Sequence, residues 1–213
     1  MRRASRTLTD KAYTYLEELI VTLKLPPGSA VSEAMLSRRL RIGRTPIREA
    51  LQWLACQGLV EIRTRQCPYV ANIRVTDLQE LFELRQESEG YAAALAAARA
   101  TANDLARLQH TLCGLDQLNP QGDIAGHIEL DRDFHRGVSQ ASHNRFLQAL
   151  LTRLYNLNLR LWYLALDRVG PMRASIEQHR AVFEAMGRRD APGAESAMRQ
   201  HIREFQDRIR AVI

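Results

Sequence analysis

Apolar residues recur at helical spacing along most of this chain, and one short stretch departs from that rhythm. From Asp10 onward Tyr13, Leu16, Ile20 and Leu23 fall three and four apart, which predicts a first helix of about four turns that "LPPGS" stops. Ser32 supplies the cap for a second, short helix with Leu36 and Leu40 inward, and "RIG" turns the chain into a third. There Ile47, Ala50, Leu51 and Leu54 make the apolar stripe, so that Thr45, Arg48, Glu49 and Gln52 face away from the core before Gly58 ends the helix. The departure comes next: "LVEIR" and "YVANI", β-rich runs either side of "TRQCP", have the pattern of a hairpin. From Thr76 to the end the helical period returns. Breaks at "TAND", "NPQG", "SHN", "VGPM" and "RDAPG" divide this part into about six helices.

The pattern predicts a mainly α protein in two parts: a winged helix-turn-helix of three helices plus a β-hairpin over residues 1–74, then an antiparallel helical bundle over residues 75–213. Thr76 and Asp77 can cap the first bundle helix, which leaves only a few residues of linker after the wing. Charge follows the same division. Residues 1–74 hold 13 Lys/Arg against 6 Asp/Glu, a net of +7, whereas the remainder holds 17 against 18, so the whole-chain excess of +6 lies in the first part. A basic module joined to a neutral one is what a phosphate-contacting surface attached to a second function looks like. No window approaches the roughly eighteen apolar residues of a membrane helix, and no apolar signal core follows the basic N-terminus, so the expected location is the cytoplasm, with no membrane partner. Cys56, Cys67 and Cys113 have no paired spacing and read as reduced thiols.

The third helix opens with "RTPIREAL". Pro46 is tolerated in a first turn, where its missing N–H would have no intrahelical partner, so the helix begins near Arg44. Its free N–H groups and positive dipole end then lie beside Arg44, Thr45 and Arg48, a combination that favours a phosphate or base edge. The stretch "AMLSRRLRIGRTPIREALQWLACQGLVEI" resembles the DNA-binding domain of the GntR superfamily of bacterial transcription regulators. That resemblance implies double-stranded operator DNA as the partner, contacted by Arg44, Thr45 and Arg48, with the wing reaching the adjacent minor groove. Arg38, Arg39 and Arg65 are expected to position the duplex through its phosphates. The chain departs from the family pattern at Gly43, where a serine cap is usual, at Ala34, where some relatives carry an arginine, and at Cys67, which replaces the usual wing-tip glycine.

In the bundle, polar residues interrupt apolar stripes. Ile128, Asp131, His135 and Val138 share one face; His179 stands between Ile176 and Phe183; His201 stands between Ala197 and Phe205. An aspartate and three imidazoles aimed inward are easiest to satisfy around one divalent cation, zinc foremost, with nickel, manganese and iron as alternatives. His127, one turn before Asp131, could compete or support from behind, whereas His110 and His143 read as surface or loop residues. Arg85 lies on the inner stripe of the first bundle helix, where either a carboxylate ligand or Glu89 one turn on would meet it. "DRDFH", with one histidine on each of the last two helices, resembles the metal-binding pattern of the FCD effector domain in the FadR-type branch of the same superfamily. The resemblance implies metal binding by Asp131, His135, His179 and His201, a small organic acid as effector with Arg85 and Asn144 in its pocket, and a homodimer.

The expected function is therefore that of a ligand-responsive transcription regulator, a repressor released from a pseudo-palindromic operator by a small organic acid, and not an enzyme. A metalloregulator for which the ion itself is the signal uses the same residues. A metal-dependent hydrolase is the third class; no HExxH-like arrangement or nucleophile motif accompanies the ligands.

Overall fold

The computed structural model describes residues 7–118, 123–165, 168 and 173–212. Among them the order is α1 (Leu8–Val21), α2 (Glu33–Leu40), α3 (Arg44–Cys56), β1 (Val60–Glu61), β2 (Tyr69–Val70), α4 (Val75–Arg99), α5 (Ala102–Gln117), α6 (Ile124–Ala141), α7 (Arg145–Ala165), α8 (Arg173–Gly187) and α9 (Ala191–Arg210). Three helices and a hairpin followed by six helices is the architecture that the hydrophobic pattern predicts. The breaks expected at residues 119–122 and 169–172 lie outside the described residues. The chain divides into two compact units, the residues up to Arg74 together with Leu159–Leu164, and Val75–Asn158 together with Ala165 onward.

In the first unit, α1 starts two residues before the expected Asp10, because Thr7 and Asp10 form a reciprocal capping box. It also ends earlier: Leu23, the last residue of the predicted stripe, has left-handed backbone at φ 56°. Ser32 caps α2 as expected, its hydroxyl accepting from Met35 N–H. Gly43 stands at the start of α3 with no side-chain cap, and Ile47, Ala50, Leu51 and Leu54 are all buried. The hairpin is shorter than its pattern, two residues per strand, with Val60 opposite Val70 and Glu61 opposite Tyr69. The left-handed residue of the wing turn is Arg65, at φ 63°.

In the second unit α4 lies against α9, α6 and α8, and α5 lies against α6 and α8. Phe82 of α4 meets Phe205 of α9 with ring centroids 5.7 Å apart. Ala92, Ala93, Ala96 and Ala97 are buried on α4, where small side chains permit close helix approach. Thr76 and Asp77 fall inside the first turn of α4, which begins at Val75, and are not its cap.

Asp104 completes a capping box at the start of α5, accepting from Thr101 N–H at 2.9 Å, and His143 and Arg107 reach the same carboxylate. Burial resists its ionisation, but the hydrogen bonds, those from Thr101 foremost, hold the carboxyl well below the ordinary carboxylate range. A carboxyl depressed in the folded state contributes stability that is present above its unfolded pKa of about 3.9 and is lost as the pH falls below that value. Asp104→Asn is accordingly expected to cost about 1 kcal/mol at neutral pH, with the difference from the unmodified protein vanishing in acid, as read by urea denaturation.

Candidate metal centre and nucleic-acid interface

The bundle brings together the four polar residues that interrupt its stripes. Asp131 and His135 stand one turn apart on α6, His179 comes from α8 and His201 from α9, and all four are buried. One donor atom from each lies within 4.8 Å of the others. The Nε2 atoms of His135 and His201 are 3.1 Å apart, those of His179 and His201 are 3.2 Å apart, and His179 Nε2 is 3.3 Å from Asp131 Oδ1. Donors at about 2.0–2.1 Å from a common ion are separated by about 2.8–3.0 Å along the edges of an octahedron and about 3.3–3.4 Å along those of a tetrahedron, so these three separations have the right length for a coordination shell.

The outer hydrogen bonds make the case chemically. His135 Nδ1 donates to Glu89, and His201 Nδ1 donates to Gln178 Oε1 at 2.9 Å, while Gln178 uses its amide nitrogen on Glu204. When neutral, both rings thereby carry their proton on Nδ1, which turns their Nε2 lone pairs toward each other across 3.1 Å. Two lone pairs at that distance repel unless a cation lies between them. A divalent metal and a proton are the two species that can relieve this repulsion. Burial lowers the basicity of His179, and that of His201 still further, with neighbouring imidazoles adding to the effect on His201. Burial also lowers that of His135, but Glu89 and then Asp131 outweigh it and the net direction is upward. Burial opposes ionisation of Asp131 too, yet His135 and the hydrogen bond from His179 hold it far below the ordinary range, as an anion. Three neutral-capable nitrogens and one carboxylate form a donor set that fits a borderline divalent ion.

Four supporting residues join this site without having been expected there from the sequence. Glu89 joins His135 to Arg85, whose Nε it accepts at 2.7 Å. Tyr155 of α7 donates its hydroxyl to Asp131. Gln178 orients His201, and Arg208 of α9 lies within electrostatic reach of Asp131. Arg85 itself is 1% exposed; Glu89 takes its Nε, and its Nη1 has no hydrogen-bond partner. Asn144 is accounted for differently: its Oδ1 accepts from Phe146 and Leu147 N–H, both at 3.2 Å, and thus caps α7. His127 is buried with its Nε2 unpartnered and stands outside the group of four.

On the first unit Arg38, Arg39, Arg44, Thr45, Arg48 and Arg65 are all exposed. Arg44, Thr45 and Arg48 occupy the first five residues of α3, beside its uncapped N–H groups. Arg48 is held in a two-pronged ion pair by Glu33 of α2, Nη2 to Oε2 at 2.9 Å and Nε to Oε1 at 3.2 Å. Arg39 packs its guanidinium over Tyr15, 5.7 Å from the ring centroid. Arg65 sits at the turn of the wing.

A winged helix-turn-helix with an exposed basic third helix, in one chain with a helical domain enclosing a buried histidine and aspartate cluster, is the architecture of a two-domain bacterial transcription regulator. Family models agree: "Bacterial regulatory proteins, gntR family" matches residues 8–70 and "FCD domain" matches residues 80–204. The chain is 28% identical over 208 residues to the HTH-type transcriptional repressor RspR of Escherichia coli, spanning 98% of this chain and 91% of that protein. It is 31% identical over 216 residues to an HTH-type transcriptional regulator in an unstable DNA locus of Streptomyces ambofaciens, spanning 97% and 87%. The fold superposes on E. coli McbR/YncC with a TM-score of 0.85 at 24% identity, covering 96% of this chain and 98% of that one. The protein belongs to the GntR family of bacterial transcription regulators, in the group that carries an FCD domain. It is a regulator and not an enzyme, so the hydrolase reading of the ligand cluster is set aside. Among the described residues no helix is long and apolar enough to cross a membrane.

Proposed function

We propose that the protein is a homodimeric repressor that binds a pseudo-palindromic operator and leaves it when a small organic acid binds beside a divalent metal in the FCD domain. The observation that carries this reading is the pair of imidazole Nε2 atoms turned toward each other 3.1 Å apart, with Asp131 and His179 completing the group. A divalent ion held by Asp131, His135, His179 and His201 would supply a Lewis-acidic anchor for a carboxylate. Arg85, buried with an N–H to spare, would meet the same ligand. Arg44, Thr45 and Arg48 would read the major groove, while Arg38, Arg39 and Arg65 would neutralise phosphates. Repression is supported by the relative RspR of Escherichia coli, a transcriptional repressor. The decisive test is fluorescence anisotropy of an operator selected from random DNA, titrated with metal alone and then with a panel of small acids. Release by acids only when zinc, nickel or manganese is present supports the proposal. Release by the metal without any acid would make the ion itself the signal, and indifference to both would refute the effector reading.

Dimer formation is supported by apolar side chains left exposed on two helices that pack on each other. Leu84 and Tyr91 of α4 and Phe146 and Leu150 of α7 are exposed, and beneath them Ala92, Leu147, Leu151 and Leu154 form a shared core. Phe146→Glu combined with Tyr91→Glu is expected to shift the chain to a monomer at micromolar concentration, as seen by light scattering, because each change acts twice in a two-fold interface. Persistence of the dimer would place the interface elsewhere.

A further inference from the structure

In the second unit two arginines carry buried N–H groups with no hydrogen-bond partner among the described residues. Arg85 on α4 has Nη1 without a partner, and Arg208 on α9 has both Nε and Nη2 buried and without partners. Unsatisfied guanidinium N–H groups away from water are costly, and chains retain them where a ligand supplies the acceptors. The two arginines belong to one neighbourhood. Arg85 packs on Phe82, 5.7 Å from its centroid, Arg208 packs on Phe205 at 6.0 Å, and those two rings are 5.7 Å apart. Each guanidinium therefore has its own member of the aromatic pair as a support.

Both arginines also belong to the candidate metal centre. Arg85 lies 5.5 Å from the ring of Tyr155, whose hydroxyl donates to Asp131, and through Glu89 it connects to His135. Arg208 follows His201 by seven residues, two turns along the same face of α9; its guanidinium lies over Phe205, one turn back toward His201, and Asp131 acts on it electrostatically. Of the anions in reach, Glu89 is engaged by Arg85 and His135, and Asp131 is engaged by Tyr155 and His179. Glu204, the other carboxylate near Arg208, accepts from the amides of Gln178 and Gln200. None of these carboxylates is hydrogen-bonded to the free N–H groups of Arg208.

Resting on the effector reading above, we infer that the acid recognised in this domain is a small diacid: one acidic group meets Arg85 and the metal, and a second acidic group, carboxylate or phosphate, is bound by Arg208. Arg208 is then the residue that separates acids with two acidic groups from acids with one, since the latter leave its N–H groups unsatisfied. A site built to hydrogen-bond a group discriminates strongly against an analogue that lacks it.

The test is calorimetric titration of the full chain loaded with zinc, with metal content measured on the same samples. L-malate is compared with L-lactate, which lacks the second carboxylate, and phosphoglycolate with glycolate, which lacks the phosphate. At least one diacid is expected to bind 10-fold or more tightly than its monoacid counterpart, and which one does so identifies the second group as carboxylate or phosphate. Arg208→Met is expected to abolish that preference while leaving zinc content and the affinity for the monoacid unchanged. Arg208→Lys, which keeps the charge, retains part of the preference and covers the case in which the methionine variant does not fold. Zinc bound with no diacid preferred, or a preference that survives Arg208→Met, overturns this inference and leaves the effector reading in place. Absence of both zinc and acid binding overturns the two together.

Discussion

Arg48→Ala is expected to lower operator affinity by at least roughly 30-fold while leaving the fold and the dimer intact. A two-pronged arginine hydrogen bond to a base is worth about 1–3 kcal/mol, and a dimer uses the residue in both half-sites, so the combined loss is about 2–6 kcal/mol. Stability is insulated from the change. The Arg48 side chain is 62% exposed and its structural partner is Glu33, and a surface ion pair of this kind contributes about 0–1 kcal/mol. Glu33 complicates the comparison, because removing Arg48 leaves an unpaired carboxylate facing the phosphates. The double variant Arg48→Ala with Glu33→Gln should therefore recover some affinity for any DNA without recovering preference for the operator. Arg38→Ala serves as the contrasting case: removing one phosphate-neutralising charge per protomer weakens binding to all sequences alike and reduces the salt dependence by about one ion per protomer. Anisotropy on operator and scrambled duplexes at several salt concentrations separates these outcomes. Unchanged operator affinity in Arg48→Ala would remove α3 from the role of recognition helix.

The periodicity of apolar residues makes most of this architecture legible, for a specific reason. Helices recruit their stripes locally, so Ile47, Ala50, Leu51 and Leu54 announce α3, and Asp131 and His135 announce a shared inward face of α6, without knowledge of any other element. What stays hidden depends on pairs distant in sequence. Glu89 is visible as a partner of Arg85 one turn away, but its hydrogen bond with His135 spans 46 positions and leaves no local trace. Gln178 precedes His179 in the chain yet orients His201 on the next helix. Tyr155 reads as one more apolar residue in the stripe of α7, because a phenol that donates to a buried carboxylate has the same spacing as a core ring. Arg208 does leave a readable mark, seven residues after His201 on the same face, but a basic residue in the last turn of a helix has an ordinary explanation in the helix dipole. The cap at Asn144 and the left-handed Leu23 show the opposite limit, since the period cannot say where a helix stops and a side chain turns to the backbone.

Adding a chelator is expected to lower the melting temperature by roughly 5–10 °C, and His179→Ala is expected to eliminate that response. An ion present at about a hundred times its dissociation constant adds about 2.7 kcal/mol to the native state, and each kcal/mol shifts a chain of this size by about 2–4 °C. His179 is the most direct of the four ligands to remove. Its Nδ1 has no hydrogen-bond partner, so truncation strands no outer group, unlike His135 with Glu89 or His201 with Gln178. Its ring does pack on Phe134 at 4.3 Å, so the variant also gives up that packing and melts lower for that reason. Asp131→Asn provides the control, since it conserves volume and can still accept from Tyr155 while removing the charge that a cation needs. Both variants should melt at a temperature indifferent to chelator and to added zinc, nickel or manganese, whereas the unmodified protein responds to all of them. The two accounts of the cluster diverge here. If the facing nitrogens of His135 and His201 are reconciled by a proton, the unmodified chain will be as indifferent to chelator and metal as the variants, and the four residues are a hydrogen-bonded core. If a metal reconciles them, its removal leaves buried lone pairs opposed at 3.1 Å, and the loss of stability measures what the ion was holding together.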